Sequence, residues 1–441
     1  MSGGKPKKSV VRPAPSRAER PADEELWPRV TRELADDLAF DAPARDRAGK
    51  PPFDEVARLR EAGLLSLLTP PGPAPHEGAD WRLACGVLRE VAAADSSIAE
   101  LLGRHYVLAW SARFFGETEA AARIERRCAQ EQWLLAGGIE PADPEQDQQL
   151  TLTPIGNGYV LNGRRDLAAG LAVADRLVLG APCADTGESL IALVDPAHPG
   201  VIADMADERL GQRLTGAGSV SFDNVPVSAD QVLGAVPRDE HAVSPFTALA
   251  PLALRLTLVH VGLGIAEGAL AEARDVSRAT LAAWPSPDGA AGLYGSDAYG
   301  DRETDDGYGP YTARPNGDPY LLLAYGELAT SAHAASAVVE RATEALARGL
   351  LAGAALTVDE RADIAVLVAA AEAVTSRSAV HVTTRILELT DGSGTSHGAT
   401  GFDRFWRNAR VLTAQVSPAH RLRDIGDHYL NGTHPRLTLS M

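Results

Sequence analysis

Sulfur, aromatic rings and basic charge are all scarce in this sequence. Its 441 residues include three cysteines and three methionines, and 5% are aromatic. Cys85, Cys128 and Cys183 lie far apart and form no CxxC pair. That excludes a disulfide framework, and the three read as reduced, mostly structural thiols of a cytoplasmic protein. No set of His, Asp or Glu has metal-ligand spacing, and no GxGxxG follows a predicted strand, so neither a metal site nor a Rossmann site is indicated. No run of ~18 apolar residues is present, so nothing is expected to span a bilayer. The 42 basic residues are outnumbered by 59 acidic ones, a net charge of −17, which argues against nucleic acid or an anionic membrane as the main partner. Residues 1–23 are rich in Lys, Arg, Pro and Ser and lack the apolar stretch of a signal peptide. They read as a disordered, soluble tail.

What is present is alanine, leucine and valine. Apolar residues make up 45% of the chain, enough for two or three domains of ~100–200 residues each. Residues 24–131 read as a helical domain. Apolar residues recur at helical spacing in Leu26–Leu38, Phe53–Leu68, Trp81–Ala94 and Ile98–Phe115, punctuated by Pro51, Pro52 and the stretch Pro70–Pro75. Residues 132–240 change texture. Short alternating runs (Gln149–Pro154, Tyr159–Asn162, Arg176–Gly180, Ser189–Val194, Gly218–Phe222) are separated by Gly, Asn and Asp, and Asn157-Gly158 is a turn signal. This block predicts a small antiparallel sandwich or barrel. From residue 241 the pattern is helical again, in Leu252–Ala283, Leu321–Ala354, Val358–Leu389 and Phe402–Tyr429. Long, alanine-rich helices of this kind pack as an antiparallel bundle. The fold class is therefore α+β, with helices, then strands, then a four-helix bundle. An insert at 284–316, with Tyr294, Tyr299, Tyr308 and Tyr311 beside the acidic run Asp301–Asp306, interrupts the bundle. Its length suits either a substrate-facing lid or a floppy excursion.

Four segments carry a family resemblance. Trp133–Pro141, Gly158–Arg165 with Ala174-Asp175, Leu210–Arg213 leading into Val220–Val227 and Leu233-Gly234, and Gly262–Leu270 resemble, in order, four motifs of the acyl-CoA dehydrogenase-fold flavoproteins. The resemblance implies that flavin, FMN or FAD, lies between the β-domain and the bundle, in a homotetramer or homodimer whose neighbours complete each site. A narrower resemblance lies in Asp318–Tyr320, Tyr325–Leu328, Gly401–Asn408 and Ile425–Gly432, and in Leu101–Tyr106. These look like the reduced-flavin-dependent monooxygenases of this fold, the dibenzothiophene monooxygenases among them, which take reduced flavin from a separate reductase.

The dehydrogenase chemistry needs a carboxylate base within reach of the substrate carbon. Where the family places it, this chain has Thr413–Pro418 and no carboxylate; Glu267, on the first bundle helix, is the alternative. The monooxygenases also differ from this chain. They carry a Ser or Thr just before the Gly matched to Gly170, and here Ala168 and Ala169 stand there. Their two His after the Trp-Arg-Asn run become Leu412 and Gln415, and an Arg near the flavin becomes Gly394. The resemblance implies that Trp133 and Gly138 flank the flavin, with Ala169 and Trp406 beside it. Arg278 matches a phosphate-binding Arg, suited by its planar fork. Gly392, Ser393, Gly394 and Thr395 form a Gly-rich loop whose N–H groups can approach a phosphate or ring. His105 and His397 are the candidate catalytic groups, able to polarise a phenol or take its proton near neutral pH.

These residues point to a flavin-dependent oxidoreductase acting on a bulky, aromatic, secondary-metabolite-like substrate. Hydroxylation with reduced flavin and dioxygen leads, flavin-dependent oxidation or phenol coupling follows, and a non-catalytic scaffold on the same fold is the alternative of another class.

Overall fold

A computed structural model describes residues 20–69, 80–116, 118–140, 150–205, 209–236, 242–282, 318–391, 401–414 and 418–435. The expected insert at 284–316 lies outside them.

The N-terminal part comprises α1 (Arg20–Ala48), α2 (Phe53–Glu61), a 3-10 turn at Leu64–Ser66, α3 (Trp81–Ala94), α4 (Ser96–Ala109), α5 (Ser111–Phe115) and α6 (Thr118–Glu131). The helix boundary between α3 and α4 is set by one residue. Asp95 leaves helical geometry at φ −145°, and its carboxylate accepts from the N–H groups of Ser97 and Ile98, satisfying donors that a helix start leaves open. The single helix expected over Ile98–Phe115 is instead broken at Trp110, whose indole N–H donates to the Leu68 carbonyl at 3.1 Å. Every residue of α4 is buried, so α4 is an internal helix with no solvent face.

Eight strands follow among the described residues: β1 (Leu135–Gly138), β2 (Thr151–Ile155), β3 (Gly158–Leu167), β4 (Arg176–Pro182), β5 (Ser189–Val194), β6 (Val201–Met205), β7 (Gly218–Ser228) and β8 (Val232–Val236). They form two four-stranded sheets, ordered β1-β4-β5-β8 and β2-β3-β7-β6. The sheets are antiparallel except that β1 pairs in parallel with β4, because β1 enters from α6 rather than through a hairpin. Ile155 pairs with Gly158, so the β2–β3 turn is centred on Gly156-Asn157. That is one residue earlier than the Asn-Gly signal suggested, and Gly156 supplies the φ of +60° that the first central position demands. Leu152, Leu161, Leu177, Leu179, Val220 and Val227 close this sandwich with a core of its own.

The C-terminal part contains α7 (Leu249–Ala282), α8 (Pro319–Ala352), α9 (Val358–Asp391), α10 (Asp403–Ala414) and α11 (Pro418–Asn431). Asp318 caps α8, and Pro319 occupies its first turn, where its missing N–H costs nothing. The one helix expected over Phe402–Tyr429 is two, with residues 415–417 between them. The apolar cluster of the bundle continues without a break into α1, α3 and α4, so the helical parts share one core. Two glycines of the Gly262–Leu270 motif explain that union. A Cβ on Gly268 would stand 2.2 Å from the Ala93 carbonyl oxygen, and one on Gly264 2.5 Å from that of Arg89, so α3 and α7 touch backbone to backbone. Helices α7 and α9 are long and apolar enough to cross a bilayer by length and composition alone, but 89% of the α7 window is buried inside the protein.

Candidate functional site

Two of the sequence motifs, far apart in the chain, meet in the structure. The loop Leu210–Thr215 of the β-domain rests on α10. Arg407 donates to the Leu210 carbonyl at 2.9 Å, and the backbone N–H of Gln212 donates to Asn408 Oδ1 at 2.7 Å. Gln212 stands at φ +52° and is fully buried. Its side chain reaches α4: Nε2 donates to Glu100 at 2.9 Å, and Oε1 accepts from Ser96 Oγ at 2.8 Å. Asn408 Nδ2 donates back to Ser96 Oγ at 2.9 Å. Arg104 pairs with Glu100, and Arg407 with Asp46 of α1. A buried charge or amide holds its place only when its hydrogen bonds are met. This network therefore clamps the β-domain, α4 and α10 in one arrangement.

The clamp fixes a turn. The N–H of Gly170 donates to the Thr215 carbonyl at 2.6 Å, and Arg209 donates to the Ala168 carbonyl at 3.2 Å and to Thr215 Oγ1 at 2.6 Å. Gly170 has φ +86°, and a Cβ there would lie 2.5 Å from the Ala136 methyl on β1. The turn is thus pressed onto the first strand, and only glycine meets both demands. Ala169 is buried beneath it, while Ala168 and Ala172 are half-buried and carry nothing longer than a methyl.

Leu210, on the clamped loop, also lines a cavity of about 780 Å³ between α9 and α10, and Trp406 lies in its wall. Trp406 is half-buried, with the Arg410 guanidinium 5.6 Å from its ring centroid. Ser376, Arg377, His381, Thr384 and Thr413 add to the polar part of the lining. A smaller cavity of about 50 Å³ shares Ser376 and Thr413 with it and reaches Arg255 and Glu372, which pair at 2.6 Å.

The remaining expected residues fall elsewhere. Trp133 is buried, with the guanidiniums of Arg127 and Arg176 over its ring at 4.8 Å and 4.7 Å from the centroid. These cation–π contacts tie Trp133 to α6 and β4. His105 is fully buried, its Nε2–H donating to the Leu65 carbonyl at 2.7 Å and its Nδ1 accepting from the Leu135 N–H at 3.1 Å. Those two bonds define a neutral ring with the proton on Nε2. Burial pushes its pKa down to about 4. Both nitrogens are committed to the backbone, so His105 is a tie between α4, the 3-10 turn and β1 rather than the acid–base group expected. At Gly138, the space a side chain would take is filled by the Glu140 carboxylate, 2.5 Å from the Cβ position, and the Arg165 guanidinium. Glycine there makes room for that pair. Arg278 is exposed near the end of α7. Gly392, Ser393, Gly394, Thr395 and His397 lie outside the described residues. Glu267, the alternative base, is bound to Arg89 of α3, with Oε2 accepting from Nε at 2.6 Å. All three cysteines are free and buried, and burial raises Cys85 and Cys128 to about 12. The Gln212–Asn408–Ser96–Glu100 clamp was missed from sequence, although the Leu-Gly-x-Arg and Trp-Arg-Asn runs that contain it were both marked.

With this geometry in place, the comparisons with known proteins are decisive. A family model described as the C-terminal domain of acyl-CoA dehydrogenase matches residues 301–417. The dibenzothiophene monooxygenase of Rhodococcus qingshengii is 32% identical, over 98% of both chains. The chain belongs to the dibenzothiophene monooxygenase family of the acyl-CoA dehydrogenase fold. A probable FMNH2-dependent monooxygenase of Pseudomonas putida is 30% identical over 92% of this chain and 95% of its own. The crystal structure of the Paenibacillus sp. A11-2 enzyme TdsC in complex with FMN and indole superposes with a TM-score of 0.80 at 28% identity, covering 94% of this chain and 99% of that one. This family member is a flavin-dependent oxidoreductase, and its cofactor is flavin. The turn at Ala168–Gly170 fits such a group, because none of its side chains is longer than a methyl and a planar ring can approach the backbone.

Proposed function

We propose that this chain is the oxygenase of a two-component system. It takes reduced FMN from a separate reductase and adds one oxygen atom of dioxygen to a bulky aromatic substrate, the other leaving as water. The observation that carries this reading is the Leu210–Thr215 loop, which holds the Gly170 turn through Thr215, lines the Trp406 cavity through Leu210 and is fixed by the Gln212–Asn408 clamp. Reduced flavin, when bound, supplies the two electrons and activates dioxygen. The chain's residues supply the rest. Backbone at Ala168–Gly170 receives the ring, Trp406 gives an aromatic wall, and Arg377 and Arg410 face the same cavity with donors suited to phosphate. Exposed Arg278 suits a phosphate contact made across a subunit boundary. The relatives named for dibenzothiophene point to sulfur-containing aromatics as the first substrates to try. Thr413, where dehydrogenases of this fold approach their carboxylate base, and Glu267 in its ion pair leave proton abstraction from an acyl thioester without a base.

A second reading is favoured by one position. Ala169 removes the hydroxyl that the relatives hold beside the flavin, and this suits direct oxidation or coupling of a phenolic, secondary-metabolite-like substrate. Anaerobic titration with FMN and FAD, each oxidised and reduced, separates the two. Tight binding confined to reduced FMN is the expected result. Tight binding of oxidised flavin overturns the two-component reading, and failure to bind any of the four leaves a scaffold.

A further inference from the structure

A further cavity lies away from the Gly170 turn. It measures about 910 Å³ and is enclosed by the start of α7, the first half of α9, α11 and the segment 433–435. Its floor is unusual in charge. Arg255, Arg361 and Arg421 converge on it from three helices, and their side chains are buried or nearly so. One half-buried carboxylate, Glu372, serves both Arg255, at 2.6 Å, and Arg421, at 3.2 Å. Arg361 is 3% exposed, and its Nη1 donates to the Pro435 carbonyl at 2.5 Å.

The carboxylates at the rim are partly spent elsewhere. Asp424 pairs with Arg423 at 3.4 Å, and Asp427 accepts from Asn431 at 2.6 Å. His434 faces Asp359 at 3.5 Å. Burial and the repulsion of Arg255 push Arg361 down to about 10, and burial, with repulsion from Arg421 added, lowers Arg255 despite Glu372. Arg255, Arg361 and Arg421 line the cavity together with Asp424 and Asp427, and a bound anion would relieve the repulsion of Arg255 on Arg361 and of Arg421 on Arg255. Guanidinium forks match the paired oxygens of a carboxylate or phosphate.

We propose that this cavity binds the oxyanion, carboxylate or phosphate, of a small molecule. Apolar lining from Leu252, Ala365 and Ala369 accommodates the body that carries it. Arg255 also lines the smaller cavity that leads toward Thr413. The anionic end is therefore held on the far side of Arg255 from the Trp406 cavity. The site stands or falls on binding alone, whatever reaction the flavin site performs.

Calorimetric titration of the full chain at constant ionic strength tests it, with three probes: 2-naphthoate, its neutral isostere 2-naphthamide, and inorganic phosphate. Naphthoate is expected to bind at least tenfold more tightly than naphthamide, and Arg421→Gln to reduce that preference tenfold while FMNH2 affinity is retained. Competition by phosphate, or binding of phosphate in place of naphthoate, also supports the site and shows which oxyanion it prefers. Equal affinity for naphthoate and naphthamide with no phosphate binding overturns it, as does a preference that survives Arg421→Gln. Should that variant not fold, phenylglyoxal modification of the wild-type protein decides. Protection of Arg421 by phosphate supports the site, and an unchanged modification rate overturns it.

Discussion

Asn408 on α10 accepts, through Oδ1, the backbone N–H of Gln212 at 2.7 Å, and so joins the bundle to the loop that fixes the Gly170 turn. Replacing Asn408 with leucine leaves that buried N–H without its acceptor and Ser96 Oγ without the Nδ2 donor. A buried group stripped of its partner costs about 1–3 kcal/mol. Asn408→Leu is expected to lower the unfolding free energy by roughly that much, and to weaken flavin binding further than stability alone requires. Denaturant melts and flavin titration on one preparation check both. Loss of stability with unchanged flavin affinity would separate the clamp from the site.

Two buried histidines give the protein an acid limit. His105 is held down to about 4, and His260, whose Nε2 meets Thr343 Oγ1 at 2.8 Å, to about 3, both chiefly by burial. Unfolded, each titrates near 6.5. The unfolded chain therefore binds more protons below pH ~6.5. Stability from these groups is fully present above that pH and is lost as pH falls toward the folded values. The expected outcome is a denaturation midpoint that declines from pH ~6.5 to ~4, with a smaller decline in His105→Gln. Activity over the same range should follow the folded fraction. A pH–rate profile with a limb that shifts in His105→Gln while stability stays flat would return His105 to the chemistry.

Most of the fold was legible because its signals are local. The α3 run Trp81–Ala94 and the β5 run Ser189–Val194 coincide with the observed elements, since their periods and the residues that bound them are written within a few positions. Strands β6 and β8 were not marked; each is an edge strand of its sheet, and β6 is mostly exposed. The site was less legible. The ring faces of Trp133 and the ring nitrogens of His105 are decided by Arg127, Arg176, Leu65 and Leu135. Those partners come from other elements, and no spacing rule within one segment brings them together. Gly268 shows the reverse case: a motif matched as family signature is a packing requirement against Ala93.

Glu267 provides a test of the reaction class. Its carboxylate is bound to Arg89, which also donates to Ser336 at 2.9 Å and is raised above its ordinary value chiefly by that hydrogen bond to Glu267. Glu267→Gln keeps the shape and one hydrogen bond but removes the charge. A modest loss of stability, about 1 kcal/mol, with turnover unchanged within twofold, is expected from steady-state assay and thermal melts. A loss of ~10²-fold or more in turnover, the scale of a missing general base, would make the chain a dehydrogenase.

The turn on β1 separates the two oxidative readings. Gly170→Ala forces a side chain into φ +86° and places its Cβ 2.5 Å from the Ala136 methyl. The turn must lift from the strand, so flavin affinity should fall at least tenfold even where the protein still folds. Ala169→Ser acts in the opposite direction. It adds one hydroxyl at a buried position beside the same turn, in the place where the family resemblance implies one. A single hydrogen bond made mainly in the transition state is worth about 1 kcal/mol or more, which is several-fold in rate. If the chain is an oxygenase thinned by Ala169, product formed per reduced flavin consumed should rise several-fold in Ala169→Ser, read by product yield against oxygen uptake. If the chain couples or oxidises its substrate directly, the added hydroxyl has no oxygen transfer to assist, and the yield stays flat or falls.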